Sequence, residues 1–586
     1  MTHCIAHNIS SPLGWTSEEN FAAVLQGRTK LTTHKGKWAL PQSFVASLFD
    51  DNAVEERFNS HVGDVGLALS RFEMLVVLSV KQAAEQAQIN LSSSDVGIVL
   101  ATTKGNVELL LPTNQPHIPR QRTLIAPSAA AIAHALGSPN TPHVVCNACI
   151  SGAHALLFAH RLLEMGQYRQ VVVCGCDVQS AFIVSGFQSF KAFSQAPCKP
   201  FDLYRDGLNL GEAAATMILS ATEPTTQRAW HIVGGAVRND AYHISSPSKK
   251  GEGCYRALVA TGVNDAENIA FVSAHGTATP YNDEMEAKAL HRAGLSAVPV
   301  NALKGIYGHT MGAAGVLETI LSMMSIEDGM VLPTIGFSEF GVSKPLLISA
   351  QAQPTSKRSF VKMLSGFGGC NVAMRWQWGE NTANGNETQG QSKALPTLTA
   401  LRCVQITPQE VQIDGHTLAI DNPNGALLTA IYKQWANDYP KFYKMDGLSR
   451  LAFAAGELLT KGTEGLPSMA LDDSAAIVFV GNSGSLASDI KYQGTIQQAD
   501  NFFPSPAHFV YTLPNIATGE LAIRHNVHGE TAFFIASQPH EAQMGTLLQS
   551  AAMDGEAKQV VGGWLEYEDD THFEAQITLY HVERGA

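Results

Sequence analysis

One strand pattern is written twice in this chain. Gln170-Val171-Val172-Val173-Cys174-Gly175-Cys176-Asp177 is matched 389 positions later by Gln559-Val560-Val561-Gly562-Gly563-Trp564-Leu565-Glu566, and each follows a helical run ending in glycine, Gly166 or Gly555. Upstream, Ile98-Val99-Leu100-Ala101-Thr102-Thr103 is matched by Ile477-Val478-Phe479-Val480-Gly481-Asn482. Repetition of a strand–helix unit restricts the fold to one assembled from copies of that unit. The C-terminal part is therefore predicted to be a shortened second copy of the N-terminal half. Carrying the ungapped offset back from the Val-Val strand puts Gln538, in Ala536-Ser537-Gln538-Pro539, where Cys149 stands in the first copy.

Short β-branched runs alternate with helical runs over the first ~380 residues, which predicts an α/β fold with buried sheets. Val96-Gly97-Ile98-Val99-Leu100, Val171-Val172-Val173-Cys174 and Ala270-Phe271-Val272-Ser273 read as strands. Arg71 to Ala87 and Ser151 to Met165 carry helical spacing of apolar residues. A chain of 586 residues exceeds one ordinary core. The polar, Gly/Asn/Gln-rich stretch from Gly379 to Pro396 lacks periodicity and is predicted to be a linker. The predicted division is 1–378 (halves about 1–222 and 229–378), a linker at 379–397, and a second unit at 398–586.

Cys149, in Asn147-Ala148-Cys149-Ile150-Ser151-Gly152, lies between the β-like run His143-Val144-Val145-Cys146 and the helical run from His154. A thiol beside a helix N-terminus is expected to have its pKa lowered from about 8.5, making a usable nucleophile. Three motifs follow it. His275-Gly276-Thr277-Ala278-Thr279-Pro280 comes directly after a strand, where α/β folds place site residues. Lys304-Gly305-Ile306-Tyr307-Gly308-His309 precedes a small-residue helix, and Ser365-Gly366-Phe367-Gly368-Gly369-Cys370-Asn371 is a turn whose N–H groups suit an oxyanion.

A net charge of −13 argues against general nucleic-acid binding. No N-terminal signal pattern and no membrane-length apolar run is seen, so the cytoplasm is the expected compartment. The cysteines number nine, an odd count, and lie mostly in apolar runs, as reduced thiols do. Cys146-x-x-Cys149 and Cys174-Gly175-Cys176 lack the second ligand pair of a zinc site, so no metal is expected.

Taken in this order, the motifs resemble those of β-ketoacyl-[acyl-carrier-protein] synthases of the thiolase-like, condensing-enzyme superfamily. The resemblance covers about residues 1 to 378 and includes Ser10-Ser11-Pro12-Leu13-Gly14, Lys199-Pro200-Phe201-Asp202 and Leu210-Gly211-Glu212. It implies a layered α-β-α-β-α fold of two related halves. It implies a Cys149, His275, His309 triad accompanied by Lys304, with Glu318 as the ion-pair partner of the lysine. Thr277 and Thr279 match threonines that bind a phosphopantetheine arm. Phe367 matches a gating phenylalanine whose amide, with that of Cys149, forms the oxyanion hole. The implied reaction is decarboxylative condensation of a Cys-bound acyl chain with malonyl-carrier protein. It needs an acyl carrier protein as partner and no cofactor beyond the carrier's phosphopantetheine.

Two positions depart from the family pattern. Asn282-Asp283 stands where Gly-Asp is usual, leaving Asp283 and Glu286 in place, and Cys370 stands where threonine is usual. Residues 398–586 resemble short ketosynthase-like domains of aryl-polyene and flexirubin-type pathways. Gln538 is similar to the glutamine of inactive chain-length factors, which makes it the pseudo-site of the second copy. Two alternatives stay open: a thiolase using Cys370 as a second catalytic thiol, and a non-catalytic chain-length factor or scaffold. The family pairs as homodimers or as ketosynthase/chain-length-factor partners, so the second unit is expected either to occupy that surface within the chain or to add to a homodimer.

Overall fold

The same five-strand connection is built three times. The computed structural model describes the chain except residues 112, 223–227, 381–393, 423–424, 463–465, 498–501 and 586, and the side chains of residues 264 and 380. The first sheet comprises β1 (His3–Ser10), β2 (Val96–Ala101), β3 (His143–Val145), β4 (Gln170–Asp177) and β5 (Ala213–Ser220). Their spatial order is β3-β2-β4-β5-β1, with β2 parallel to β3 and β4, and β5 antiparallel to β4 and β1.

The second sheet comprises β6 (Arg228–Asn239), β7 (Ile269–Ser273), β8 (Pro299–Asn301), β9 (Ser359–Gly366) and β10 (Cys370–Glu380), in the order β8-β7-β9-β10-β6. The third comprises β11 (Thr397–Ile406), β12 (Ala476–Gly481), β13 (Thr531–Ile535), β14 (Gln559–Asp569) and β15 (His572–Glu583), in the order β13-β12-β14-β15-β11. Strands such as β4 are buried along nearly their whole length, as β-branched runs covered on both faces should be.

The helices that position the site are α1 (Arg71–Ala87), α2 (Ser151–Glu164), α3 (Ala181–Ser189), α4 (Pro280–Arg292), α5 (Ala314–Glu327), α6 (Pro506–Val510), α7 (Ile516–His525) and α8 (Glu541–Ala552). The expected helix Arg71 to Ala87 is present, opened by a capping box between Ser70 and Glu73. Helices α2 and α5 are almost wholly buried and meet backbone to backbone. A Cβ on Gly152 would lie 2.5 Å from the Gly312 carbonyl, and one on Gly315 would lie 2.2 Å from the Ala153 amide. The small residues after Cys149 and His309 therefore allow the two halves to bring their site ends together.

The third sheet joins the first through β13, which lies antiparallel on the free edge of β3. Phe534 stands opposite Val145 and Ile535 opposite Val144, and the Cys146 amide donates to Phe533 O at 3.0 Å. The result is a continuous run of strands, β1-β5-β4-β2-β3-β13-β12-β14-β15-β11, and the start of β1 also pairs with β6 of the second sheet, His3 opposite His231. One apolar cluster runs across this junction, including Phe158 and Leu162 of α2, Phe534 of β13 and Leu548 of α8. The outer edge of β3 is thus occupied from within the chain.

Two sequence expectations need correction. The stretch predicted as linker begins too early, because β10 continues through Gly379 to Glu380, and 381–393 lies outside the described residues. The sheet registers uphold the position of Gln538: Val145 faces Ala101 as Phe534 faces Val480, and Val171 faces Gly97 as Val560 faces Ala476. Its surroundings do not make a site, since Ser537, Gln538, Pro539 and His540 are all exposed. Among the described residues the second sheet, which covers Cys149 in the first copy, has no counterpart over the third, and α8 shows polar residues such as Glu541 to solvent.

Buried charge also locks the junction. Glu530, just before β13, accepts from Arg161 of α2 at 2.8 Å and contacts His154 Nε2 at 3.3 Å. Burial acts to raise the Glu530 carboxyl, but Arg161 and His154 outweigh it and hold it down to about 2. A group depressed in this way contributes stability fully above pH ~4.5 and loses it as pH falls towards its folded value. Glu530→Ala leaves Arg161 with only the more distant Asp554 carboxylate, 4.0 Å away, and is expected to cost up to about 3 kcal/mol. The denaturant midpoint measures this: the deficit should be full at pH 7 and shrink towards pH 3.

Candidate active site

Cys149 stands on a tight elbow between β3 and α2. The Asn147 amide donates to Ser151 Oγ at 2.8 Å, and Ser151 Oγ donates to Ala148 O at 2.6 Å. Ala148 is held at φ +47°, a left-handed conformation that costs a residue with a Cβ about 1–3 kcal/mol. The same strain recurs beside the other motifs, at Ala278 (φ +60°) between the two threonines and at Met311 (φ +55°) just after His309. Strain of this kind persists where packing over-determines a site.

The fold gathers the predicted residues around one cavity of about 290 Å³. Its lining includes Cys149, His275, His309, Thr277, Thr279 and Phe367. The two imidazoles meet edge to face, with ring centroids 5.1 Å apart. His309 Nδ1 accepts from the Met311 amide at 3.3 Å, so its proton is on Nε2, which is buried with no partner among the described residues. His275 Nδ1 is likewise buried and unpartnered. Thr277 and Thr279 share a hydroxyl–hydroxyl hydrogen bond of 2.8 Å. The Phe367 loop turns through Gly368 (φ +91°) and Gly369 (φ +72°). A Cβ on Gly366 would lie 3.1 Å from the Cys370 sulfur and 3.3 Å from the Cys149 amide, so any larger residue would crowd the loop against the elbow.

Behind the cavity lie the supporting charges. Lys304 Nζ donates to His275 O and to Glu318 Oε1, each at 2.7 Å, which is the ion pair expected from sequence. Glu286 accepts from the His275 amide at 2.7 Å and the Gly276 amide at 2.8 Å, fixing the histidine's backbone. Its carboxyl is raised to about 7 by burial and by neighbouring Asp283. Asp283 accepts from the Phe201 amide at 2.7 Å, tying the His275 segment to the Lys199–Asp202 loop, and burial lifts its carboxyl to about 6.

The charge state of the thiol corrects the sequence reading. Burial pushes Cys149 up to about 12, with Lys304 pulling the other way and Asp177 adding to the rise. Loss of water around the sulfur outweighs its place before α2. Burial first, then Lys304, holds both His275 and His309 well below the usual imidazole range, so they are neutral. Thiol and imidazoles therefore face each other uncharged.

Cys370 is not part of this lining. It is buried, its thiol donates to Phe367 O at 3.3 Å, and burial drives it well above the usual thiol range. Among the described residues no cluster of three or more His, Cys, Asp or Glu could hold a metal ion, and no helix is long and apolar enough to cross a membrane.

Sequence reasoning missed contributors from both units. Lys362 in β9 pairs with Glu318, and its signal was a lone lysine inside Phe360-Val361-Lys362-Met363-Leu364. From the C-terminal unit, Asn515 Nδ2 donates to Phe367 O at 2.8 Å. Phe509, Thr512 and Leu513 wall a small apolar recess beside Cys149, together with Ile183, Phe187, Met311 and Phe367. No local signal marks these residues, because their role depends on which edge β13 joins.

Paired five-strand sheets of this order, closing on a cysteine and two histidines, define a thiolase-like condensing-enzyme fold. The family comparisons then narrow the class: the β-ketoacyl synthase N-terminal domain model matches residues 5–224 and the C-terminal domain model residues 230–338, and the chain belongs to the β-ketoacyl synthase family. A relative from Vibrio cholerae, 3-oxoacyl-[acyl-carrier-protein] synthase 2, is 29% identical over 404 residues, covering 62% of this chain and 95% of the relative. The PfaC keto synthase–chain length factor structure matches 100% of this chain and 78% of its own, with a TM-score of 0.76 at 15% identity. The ketosynthase ApeO in complex with its chain length factor ApeC, from Xenorhabdus doucetiae, matches 64% of this chain and 97% of its own, with a TM-score of 0.55 at 22% identity.

A thiol at about 12 makes alkylation strongly pH-dependent. Iodoacetamide labelling of Cys149, followed by peptide mapping, should rise about tenfold per pH unit from 7 to 9 without levelling. A plateau by pH 8 would contradict the burial argument.

Proposed function

We propose that the protein is a β-ketoacyl-[acyl-carrier-protein] synthase that joins a Cys149-bound acyl chain to malonyl-carrier protein with loss of carbon dioxide. The observation that carries this reading is the uncharged set around one cavity: a thiol facing two neutral imidazoles, one with a free Nε2–H.

In the first half-reaction Cys149 sulfur attacks the thioester of the acyl carrier. The amides of Cys149 and Phe367 hold the oxyanion, and the carrier thiol leaves with the proton. In the second, the phosphopantetheine arm of malonyl-carrier protein lies along Thr277 and Thr279. The N–H groups of His275 and His309 hold the malonyl thioester oxygen. Loss of carbon dioxide leaves an enolate whose carbon attacks the acyl-Cys149 carbonyl, and collapse of that intermediate expels the Cys149 thiolate, which takes a proton from water to restore the thiol. Neutral imidazoles suit this step, because an imidazolium would protonate the enolate. Cys149→Ala is expected to abolish acyl transfer, and mass spectrometry of trypsin-digested protein after incubation with acyl thioester should find acyl only on Cys149. Cleavage of a 3-oxoacyl thioester by coenzyme A that is lost in Cys370→Ser would instead favour the thiolase reading.

We assign the C-terminal unit to the role of a pairing partner within the same chain, in place of homodimer formation through β3. The acyl chain is directed at the recess beside Cys149, a space of about 10 Å³ that must widen as the chain enters and whose walls include Phe509, Thr512 and Leu513. Phe509 packs on Phe187 with ring centroids 5.6 Å apart, and Lys104 pairs with Asp489 at 2.6 Å on the same wall. A wall of this kind favours polyketide- or aryl-polyene-type elongation over housekeeping fatty-acid synthesis, and the nine free cysteines agree with a cytoplasmic setting. Phe509→Ala is expected to lengthen the acyl chains that load Cys149 by several carbons, as read by mass spectrometry across a panel of chain lengths. An unchanged length limit would remove the C-terminal unit from this role.

A further inference from the structure

Two lysines, not one, stand behind the histidines. Lys362 lies mid-strand in β9 and is 1% exposed. Its Nζ donates to Ser273 O and Ala274 O, each at 3.1 Å, and to Ser273 Oγ at 3.3 Å, and it pairs with Glu318 Oε2 at 2.5 Å. Lys304 takes the other Glu318 oxygen and donates to His275 O. The carbonyls of three successive residues, Ser273, Ala274 and His275, are therefore all held by ammonium N–H groups. One carboxylate is shared by two cations.

We propose that Lys362 is a positioning residue for the decarboxylative half-reaction: with Lys304 it pins the Ser273–His275 segment and places a second cation behind the imidazoles, keeping them neutral N–H donors while the enolate forms. This rests on the condensing-enzyme reading above. The chemistry explains the need. A neutral imidazole steadies the enolate oxygen through a hydrogen bond and leaves its carbon nucleophilic. An imidazolium would deliver a proton to that carbon, so that malonyl thioester plus one proton gives acetyl thioester and carbon dioxide, with no new carbon–carbon bond.

The charged and titratable groups that face Lys362 are Glu318 on α5, Lys304, Glu286 on α4, and the imidazoles of His275 and His309. Burial acts to raise the Glu318 carboxyl, but Lys304 and Lys362 outweigh it and hold it below its usual range. Burial lowers Lys362 itself to about 8, with Glu318 opposing and Lys304 adding to the fall. Lys362 is thus cationic at neutral pH, and both imidazoles feel it. The Cys149 thiol feels Lys304 and Asp177 instead, so acyl loading should not depend on Lys362.

The test uses the full-length protein as wild type and as Lys362→Met, which keeps the volume and removes the charge. Three quantities are read by mass spectrometry from pH 5.5 to 8.5: acyl loading of Cys149, condensed product, and acetyl thioester released without condensation. The wild type should condense with little acetyl by-product across this range. In Lys362→Met, loading should hold within about twofold, while the acid limb of condensation moves up by about one pH unit. The ratio of acetyl by-product to condensed product should rise as pH falls, by up to about tenfold at the acid end of the range.

An unchanged acid limb and by-product ratio would overturn the proposal, as would a parallel loss of loading and condensation at every pH. Failure of the wild type to load or decarboxylate would instead overturn the condensing-enzyme reading. Should Lys362→Met not fold, Lys362→Gln, which keeps a donor, carries the same measurements. If neither folds, imidazole titration by nitrogen NMR in the wild type decides: His275 and His309 must stay neutral at pH 6, and titration near 6.5 would overturn the proposal.

Discussion

The pairing of β13 with β3 is the contact on which the rest of the molecule depends. A three-residue edge strand next to a nucleophile cannot be left with bare amides and carbonyls in a buried setting. β13 satisfies that edge, continues the sheet and shares its apolar cluster. The same contact delivers Glu530 to Arg161, and it brings Phe509, Thr512, Leu513 and Asn515 to the recess and loop around Cys149. Residues of the C-terminal unit thereby become part of the wall around Cys149.

Within that enclosure, burial decides charge. Cys149 is half-buried and both imidazoles are buried, and loss of solvation is the largest cause that keeps each in its neutral form. Permanent charge is withdrawn into the Lys304–Glu318–Lys362 cluster, where three backbone carbonyls and a shared carboxylate answer the two ammonium groups. The division suits a reaction whose intermediate is an enolate, because the donors polarise it without giving up a proton.

Most of the fold and of the site can be read from residues alone. Val171-Val172-Val173 and Ile98-Val99-Leu100 are strands because unbroken β-branched runs suit sheets buried on both faces. Their copies near Val560 and Ile477 keep the same neighbours, so the repeat was visible through strand composition. Cys149, His275, Lys304 and His309 were legible because each follows a strand or opens a helix, where a sheet fold presents side chains. The direction of the Cys149 shift was not legible, since it depends on how much protein closes over the sulfur. Nor was the exposure of Gln538, which follows from the absence of a covering second sheet.

The sequence by itself determined the repeated strand order, the elbow that carries Cys149 and the chemistry available to the triad. These depend on local patterns: side-chain periodicity, small residues at close approaches, and motif order along the chain. Only the tertiary structure decided which edge the second copy occupies, which of its residues wall the recess beside Cys149, and that Lys362 shares the carboxylate of Lys304. Those outcomes join residues hundreds of positions apart, through sheet register and the shared exclusion of water, and neither is a property of any local stretch.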